Sequence, residues 1–306
     1  MRRTKTMFLV AALLLSSATV AAAHSWGNWS EVVHLEGPSL NTSALEGCPI
    51  ESPDGLELFF ASDRLGGLGG LDIWVARRGS TADAWGEPEN LGEPINSSAN
   101  DFCPSPMSGN RFLFVSNRPG PCGVGHGPDI YISRRHPSGT FGTPKNVGCG
   151  VNSSAGEASP SLVQQEPGGP ALYFSSDRPS ELGGSNLYIS RFRSGSFQPA
   201  TLVPGVNSSG FSDARPNVSR DGRELVFDSN RPGGEGMFDV YVSTRPDVAS
   251  PWSPPVNLGP AINSAANETR PSLSWDGTRL HLGSTRDGGE GSSDLYVAER
   301  ERSTGP

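Results

Sequence analysis

Lysine is almost missing from this chain. Of its 24 basic residues only Lys5 and Lys145 are lysines; the rest are arginines. No basic block occurs, and the formal net charge is −8. An acidic chain with no basic patch excludes nucleic acid and anionic membrane surfaces as partners. Long apolar runs are equally scarce. The one candidate, residues 7–20, follows Arg2, Arg3 and Lys5 and leads into Ala21, Ala22 and Ala23. That order is the signature of a Sec-type signal peptide, residues 1–23. The run is too short and too lightly flanked for a spanning helix, which needs roughly 20 apolar residues. The expectation is an exported protein, periplasmic or secreted, with no membrane span. Its maturation removes three cations and no anion, so −8 becomes −11.

Several chemical signatures are absent too. The chain has no GxSxG elbow, no HExxH pair and no nucleotide-binding glycine fingerprint opening a helix. No loop has the dense acidic spacing of an EF-hand. There are only four cysteines and no CxxC, so a zinc site built from them and His126 is the minor reading. No metal or cofactor is expected. In an exported chain four cysteines read first as two disulfides. Cys122–Cys149 and Cys48–Cys103 are the favoured pairs, and the other pairings stay open.

What is abundant is turn chemistry: 39 glycines and 27 prolines, set at regular places between short apolar stretches. A Ser-x-Arg signature ends at Arg64, Arg118, Arg178, Arg231 and Arg286. A glycine-rich loop follows each. The next strands read DIWVARR, DIYISRR, NLYISRF, DVYVSTR and DLYVAER, and start at Asp72, Asp129, Asn186, Asp239 and Asp294. These starts lie 57, 57, 53 and 55 residues apart. Alternation in these strands predicts that they are half-buried. Ahead of each Ser-x-Arg lies another apolar strand: LELFFAS, RFLFVSN, ALYFSSD, ELVFDSN and RLHLGST. Asp-Gly turns precede three of the five, a hairpin signal because the turn needs positive φ. A short proline-containing strand comes first in each repeat. A fourth follows an aromatic with an aliphatic six residues on: Trp85 to Leu91, Phe141 to Val147, Phe197 to Val203 and Trp252 to Leu258.

Four strands per repeat, A to D, make a propeller blade. The fifth repeat lacks its D strand, but Trp29 to Leu35 has the same spacing and can supply it. The expected fold is therefore all-β: a five-bladed β-propeller closed by its N-terminal strand. Its single domain spans 24–306, with blades near 46–92, 101–148, 157–204, 213–259 and 268–300 plus 29–36.

Residues 215–243, RPNVSRDGRELVFDSNRPGGEGMFDVYVS, resemble the TolB-type, WD-like propeller repeat. That repeat has a Pro-x-x-Ser-x-Asp-Gly hairpin, an apolar strand ending in Ser-x-Arg, a glycine-rich loop and Asp-Ile-Tyr. The resemblance runs through the whole mature chain in five copies. It implies an exported bacterial protein, often a binding or assembly module. The expected five blades, with no room for an extra N-terminal domain, set the chain apart from TolB itself.

Strand order places the B–C loops and D–A connectors on one face, the top. The Asp or Asn closing each loop is expected to accept backbone N–H bonds, with calcium as the sharper alternative. An acid precedes each strand A: Glu46, Asp101, Glu157, Asp213 and Glu268. The arginine ending strand B reaches the same face, so the expected pairs are Glu46–Arg64, Asp101–Arg118, Glu157–Arg178, Asp213–Arg231 and Glu268–Arg286. A pairing that recurs in every blade reads as structural. Function should sit where repeats differ. Two residues past each acid the chain has Cys48, Cys103, Ser159, Arg215 and Arg270, an asymmetric ring around the channel mouth. Arg215 and Arg270 are expected to be unpaired and able to hold an anion such as a carboxylate. With Ser159 and the irregular loop containing His126, they form the candidate binding surface for a protein or glycan on the top face. The expected function is a non-catalytic binding or scaffolding propeller. The alternative is a glycoside hydrolase-like enzyme using the axial carboxylates, which needs an acid and a second carboxylate at a defined separation. The residues leave the oligomeric state open.

Overall fold

The computed structural model describes residues 26–123 and 127–302. Residues 1–23, expected from the sequence to be a signal peptide, and His24 and His126 lie outside them. The described residues form a five-bladed β-propeller of antiparallel sheets. Blade 1 has strands Glu46–Glu51, Glu57–Ser62, Asp72–Arg77 and Glu89–Asn90. Blade 2 has Asp101–Met107, Arg111–Ser116, Asp129–Arg134 and Lys145–Asn146. Blade 3 has Glu157–Val163, Ala171–Ser176, Asn186–Arg193 and Thr201–Leu202, plus a side hairpin to Ser196–Phe197. Blade 4 has Asp213–Val218, Glu224–Ser229, Asp239–Thr244 and Val256–Asn257. Blade 5 has Glu268–Leu273, Arg279–Ser284 and Asp294–Glu299, and its fourth strand is Val33–His34 from the other end of the chain. Val33 faces Val297 and His34 faces Tyr296 across that closing pair.

The core is divided into five apolar clusters, each drawing mainly on two neighbouring blades. One joins Tyr173 of blade 3 to Phe227 of blade 4; another joins Leu58 and Phe60 of blade 1 to Leu295 of blade 5. Blades therefore cover both faces of each middle strand. This corrects the half-buried reading of the C strands: Asp72–Arg77 is buried at every position but the last. The one small residue near the end of each C strand, Ala76, Ser133, Ser190, Ser243 or Ala298, is buried between blades and does not mark a wet face.

Each strand A carries a bulge. In blade 1 the register passes from Gly47↔Ala61 to Ile50↔Phe59, so Cys48 and Pro49 oppose Phe60 alone. Cys48, Cys103, Ser159, Arg215 and Arg270 all sit at φ between 45° and 57°. The proline that follows each has no N–H to lose, which suits a bulge. Cys48 and Cys103, 55 residues apart in the chain yet on adjacent inner strands, form one disulfide, and Cys122–Cys149 forms the other. Intact mass of the oxidised protein is expected about four hydrogens below the reduced value. Four alkylatable thiols in that material would contradict both bridges.

Candidate functional site

The five repeated acids are fully buried on the top side of the ring. Arg64, Arg118, Arg178 and Arg286 approach Glu46, Asp101, Glu157 and Glu268 at 2.9, 2.7, 3.0 and 3.1 Å, and Arg231 pairs with Asp213. The residue four or five before each acid gives it a backbone N–H and a hydroxyl: Thr42, Ser97, Ser153, Ser208 and Ser264. Each arginine also donates to a connector carbonyl, that of Leu40, Ile95, Val151, Val206 or Ile262. Its plane lies over ring faces such as Tyr188 and Tyr241, 4.8 and 4.9 Å from their centres. A guanidinium fork suits this combined duty of pairing and stacking.

The sequence reading missed a partner of this brace. Asn41, Asn96, Asn152, Asn207 and Asn263 each bond both the N–H and the C=O of a residue in strand C, as Asn96 does with Ile73 at 2.9 Å each way. The recurring Asn-Ser/Thr pair five residues before each acid, or six in blade 4, was the available signal. The loop-closing residues are split in behaviour. Asp72, Asp239 and Asp294 accept loop N–H groups, and Asp129 accepts from Asn146. Asn186 departs from expectation: its Nδ2 donates to Ser180, Gly183 and Gly184, while its buried Oδ1 accepts nothing among the described residues. Among the described residues no group of three or more His, Cys, Asp or Glu side chains could hold a metal.

At the channel mouth Arg215 contradicts the expectation of an unpaired arginine. Its Nε and Nη2 clamp Asp228 at 2.9 and 2.7 Å. Asp228 is fully buried and also accepts the Arg270 backbone N–H at 2.9 Å. The signal for Asp228 was its place in strand B, where the other blades carry Ala61, Val115, Ser175 and Gly283. Among the described residues Arg270 enters no ion pair, and its Nε is buried without a partner. Burial first, and then the like charge of Arg215, push its guanidinium down to about 10, against the pull of Asp228. The Ser159 hydroxyl lies 3.4 Å from the Cys103 sulfur. The cavity these residues enclose with the five prolines is only about 30 Å³.

The opposite face is more open. A cleft of about 910 Å³ lies between blades 4 and 5, walled by Trp26, Trp29 and Trp275 with Arg220, Arg223 and Arg302. Trp26 and Trp29 each lie 4.1 Å from the buried Arg300 guanidinium. Arg300 in turn grips Glu224 of blade 4 at 2.8 and 2.6 Å. Arg220 covers Trp275 at 5.3 Å. Arg220, Arg223 and Arg302 have no ion pair among the described residues. Asp221 and Asp276 also line the cleft. They close their hairpins on Ser219 and Ser274, as Asp54 does on Ser52 in blade 1. The cleft shares Gln165, Arg220 and Trp275 with an axial cavity of about 160 Å³.

These features define a β-propeller whose repeated charges are consumed by its own architecture. No family model matches the chain, and no curated protein matches it. Solved structures do. A thermostable family-43 glycoside hydrolase is 12% identical, with TM-score 0.58 over 88% of this chain and 97% of that one. The alpha-L-arabinofuranosidase of Podospora anserina, solved with cellotriose, is 12% identical, with TM-score 0.55 over 90% and 97%. TolB from Acinetobacter baumannii is 18% identical, with TM-score 0.47 over 89% of this chain and 55% of that one. At such identities the likeness is one of fold.

Proposed function

We propose that residues 24–306 are an exported, non-catalytic binding propeller of TolB-type repeats whose ligand is a glycan. The observation that carries this is the contrast between two sites. The axial carboxylates are fully buried, each bonded to an arginine and a hydroxyl, next to a cavity of about 30 Å³. A general acid must reach the leaving oxygen, and its partner needs room for a sugar ring or a water. Neither condition is met there. The blade 4–blade 5 cleft instead offers indole surfaces and guanidinium forks in about 910 Å³, within the range that holds a small ligand. Sugar rings present C–H faces to indoles and hydroxyls to fork donors. This moves the seat from the top face, where the residue pattern had put it, to the opposite face. Two disulfides support export, since such bonds persist in oxidising compartments.

The test is a glycan array followed by calorimetry on mature protein. Trp275→Ala and Arg220→Gln should each weaken binding of the selected oligosaccharide by roughly fivefold or more, a stacking face being worth about 1 kcal/mol or above. Their melting temperatures should stay at the native value. Turnover of a polysaccharide that vanishes in a Glu157→Gln or Asp213→Asn variant of native melting temperature would replace the binding module with the hydrolase.

A further inference from the structure

The arginines at the channel mouth are not absorbed by the binding cleft, which opens on the other face. Arg215 gives Nε and Nη2 to Asp228, and no bond from its Nη1 is found among the described residues. Arg270 gives its guanidinium to nothing among them: it enters no ion pair, and its Nε is buried without an acceptor. Asp228 does not make good this lack. Its carboxylate is occupied by the Arg215 fork and by the backbone N–H of Arg270. Two guanidiniums and one carboxylate leave one positive charge at the mouth.

The surroundings hold that charge in place. A Cβ on Gly47 would come within 3.0 Å of Arg270 Nη1, so the glycine of blade 1 is what lets the side chain lie against the neighbouring inner strand. The rest of the wall is the Cys48–Cys103 disulfide, Ile50, the neutral side chains of Ser159, Asn217 and Ser272, and the rings of Pro49, Pro104, Pro160, Pro216 and Pro271. This wall supplies no carboxylate, and its largely proline and disulfide surface strengthens the field of the two guanidiniums. The cavity of about 30 Å³ has room for one or two water-sized groups, and so for one small ion or the tip of one group.

We propose that the axial mouth of the top face is a binding site for a singly charged anion, either a halide or one carboxylate tip, held by Arg270 and the unused edge of Arg215. The cavity is too small for a sugar ring, so this site is separate from the glycan cleft and does not depend on it.

The test uses mature protein crystallised in sodium bromide and melted in bromide, chloride, acetate or methanesulfonate at one ionic strength, so that general screening stays constant. An anomalous bromide peak on the axis between Arg215 and Arg270 is expected, with a melting temperature that rises with halide concentration. Arg270→Gln should lose both responses. Should that variant fail to fold, Arg270→Lys keeps the charge but not the fork, and its halide affinity should fall by about tenfold. Acetate that displaces the peak identifies a carboxylate site; a peak that acetate leaves untouched identifies a halide site. No axial peak, or a halide response unchanged in the Arg270 variants, overturns the proposal.

Discussion

Deleting residues 26–36 is expected to abolish the cooperative melting of the protein. This segment is the fourth strand of blade 5. Beyond the Val33–His34 pairing, Leu35 donates to Leu295 O at 2.9 Å and Ser30 donates to Glu299 O at 2.8 Å. Leu35 is buried against Leu40, Phe60 and Trp74 of blade 1, while Trp29 and Val32 pack on the blade 4–blade 5 cluster. Losing the buried Leu35 costs about 2–5 kcal/mol, and the half-buried Trp29 and Val32 add to it. The sum approaches the roughly 5–15 kcal/mol that holds a typical domain together. The deletion also leaves Asp294–Glu299 as an open edge, free to recruit another chain. Truncated protein should therefore aggregate, and a synthetic peptide of residues 26–37 added in trans should restore a transition. A truncated form that melts cooperatively at the full-length temperature would falsify strand closure as the lock of the ring.

That closure was legible in the sequence because it is arithmetic: five C strands, four D strands, and a spare aromatic-plus-six segment at the start. The acid–arginine pairs were legible for a related reason. A residue type that returns every blade must satisfy the same local geometry each time. What escaped was chemistry that depends on which blade stands next to which. Arg135 pairs with Glu57 of blade 1 and Arg300 with Glu224 of blade 4, each arginine just past strand C meeting the first residue of strand B one blade back. Arg245 finds Glu166 of blade 3 instead. These clamps cross repeats, so no single repeat displays them. The blade 4–blade 5 cleft is hidden in the same way, since Trp26 and Trp29 reach Trp275 only after the ring has closed. Asp228 was hidden by its setting in an apolar strand, and its effect was large: it converts Arg215 from a free cation to a clamp and leaves Arg270 alone.

The seam between blades 5 and 1 departs from the clamp pattern, and this departure yields the second large effect. Strand B of blade 5 begins with Arg279, not an acid, so Arg78 has no glutamate one blade back. Both arginines turn to Glu51 of blade 1. Arg279 bonds it at 3.0 and 2.9 Å, Arg78 at 3.2 Å, and His281 Nε2 lies 3.1 Å away. Glu51 is itself buried. Burial alone would raise its carboxyl, but the bonds and charges of His281 and Arg279 outweigh it and hold the group at about 2, below its ordinary 4.5. A carboxyl lowered on folding stabilises the native state fully above its unfolded value. That contribution is lost as pH falls from about 4.5 through 2, and amounts to about 3 kcal/mol. Glu51→Gln keeps the shape but removes the charge, leaving two buried guanidiniums facing a neutral amide. At pH 7 the variant should be less stable by about 3–5 kcal/mol. Its deficit against the native protein in urea unfolding should shrink steadily below pH 4.5 and nearly close by pH 2. A deficit that is the same at pH 7 and pH 3 would show that Glu51 acts by packing alone, and that the seam is held by its strands and not by this carboxylate.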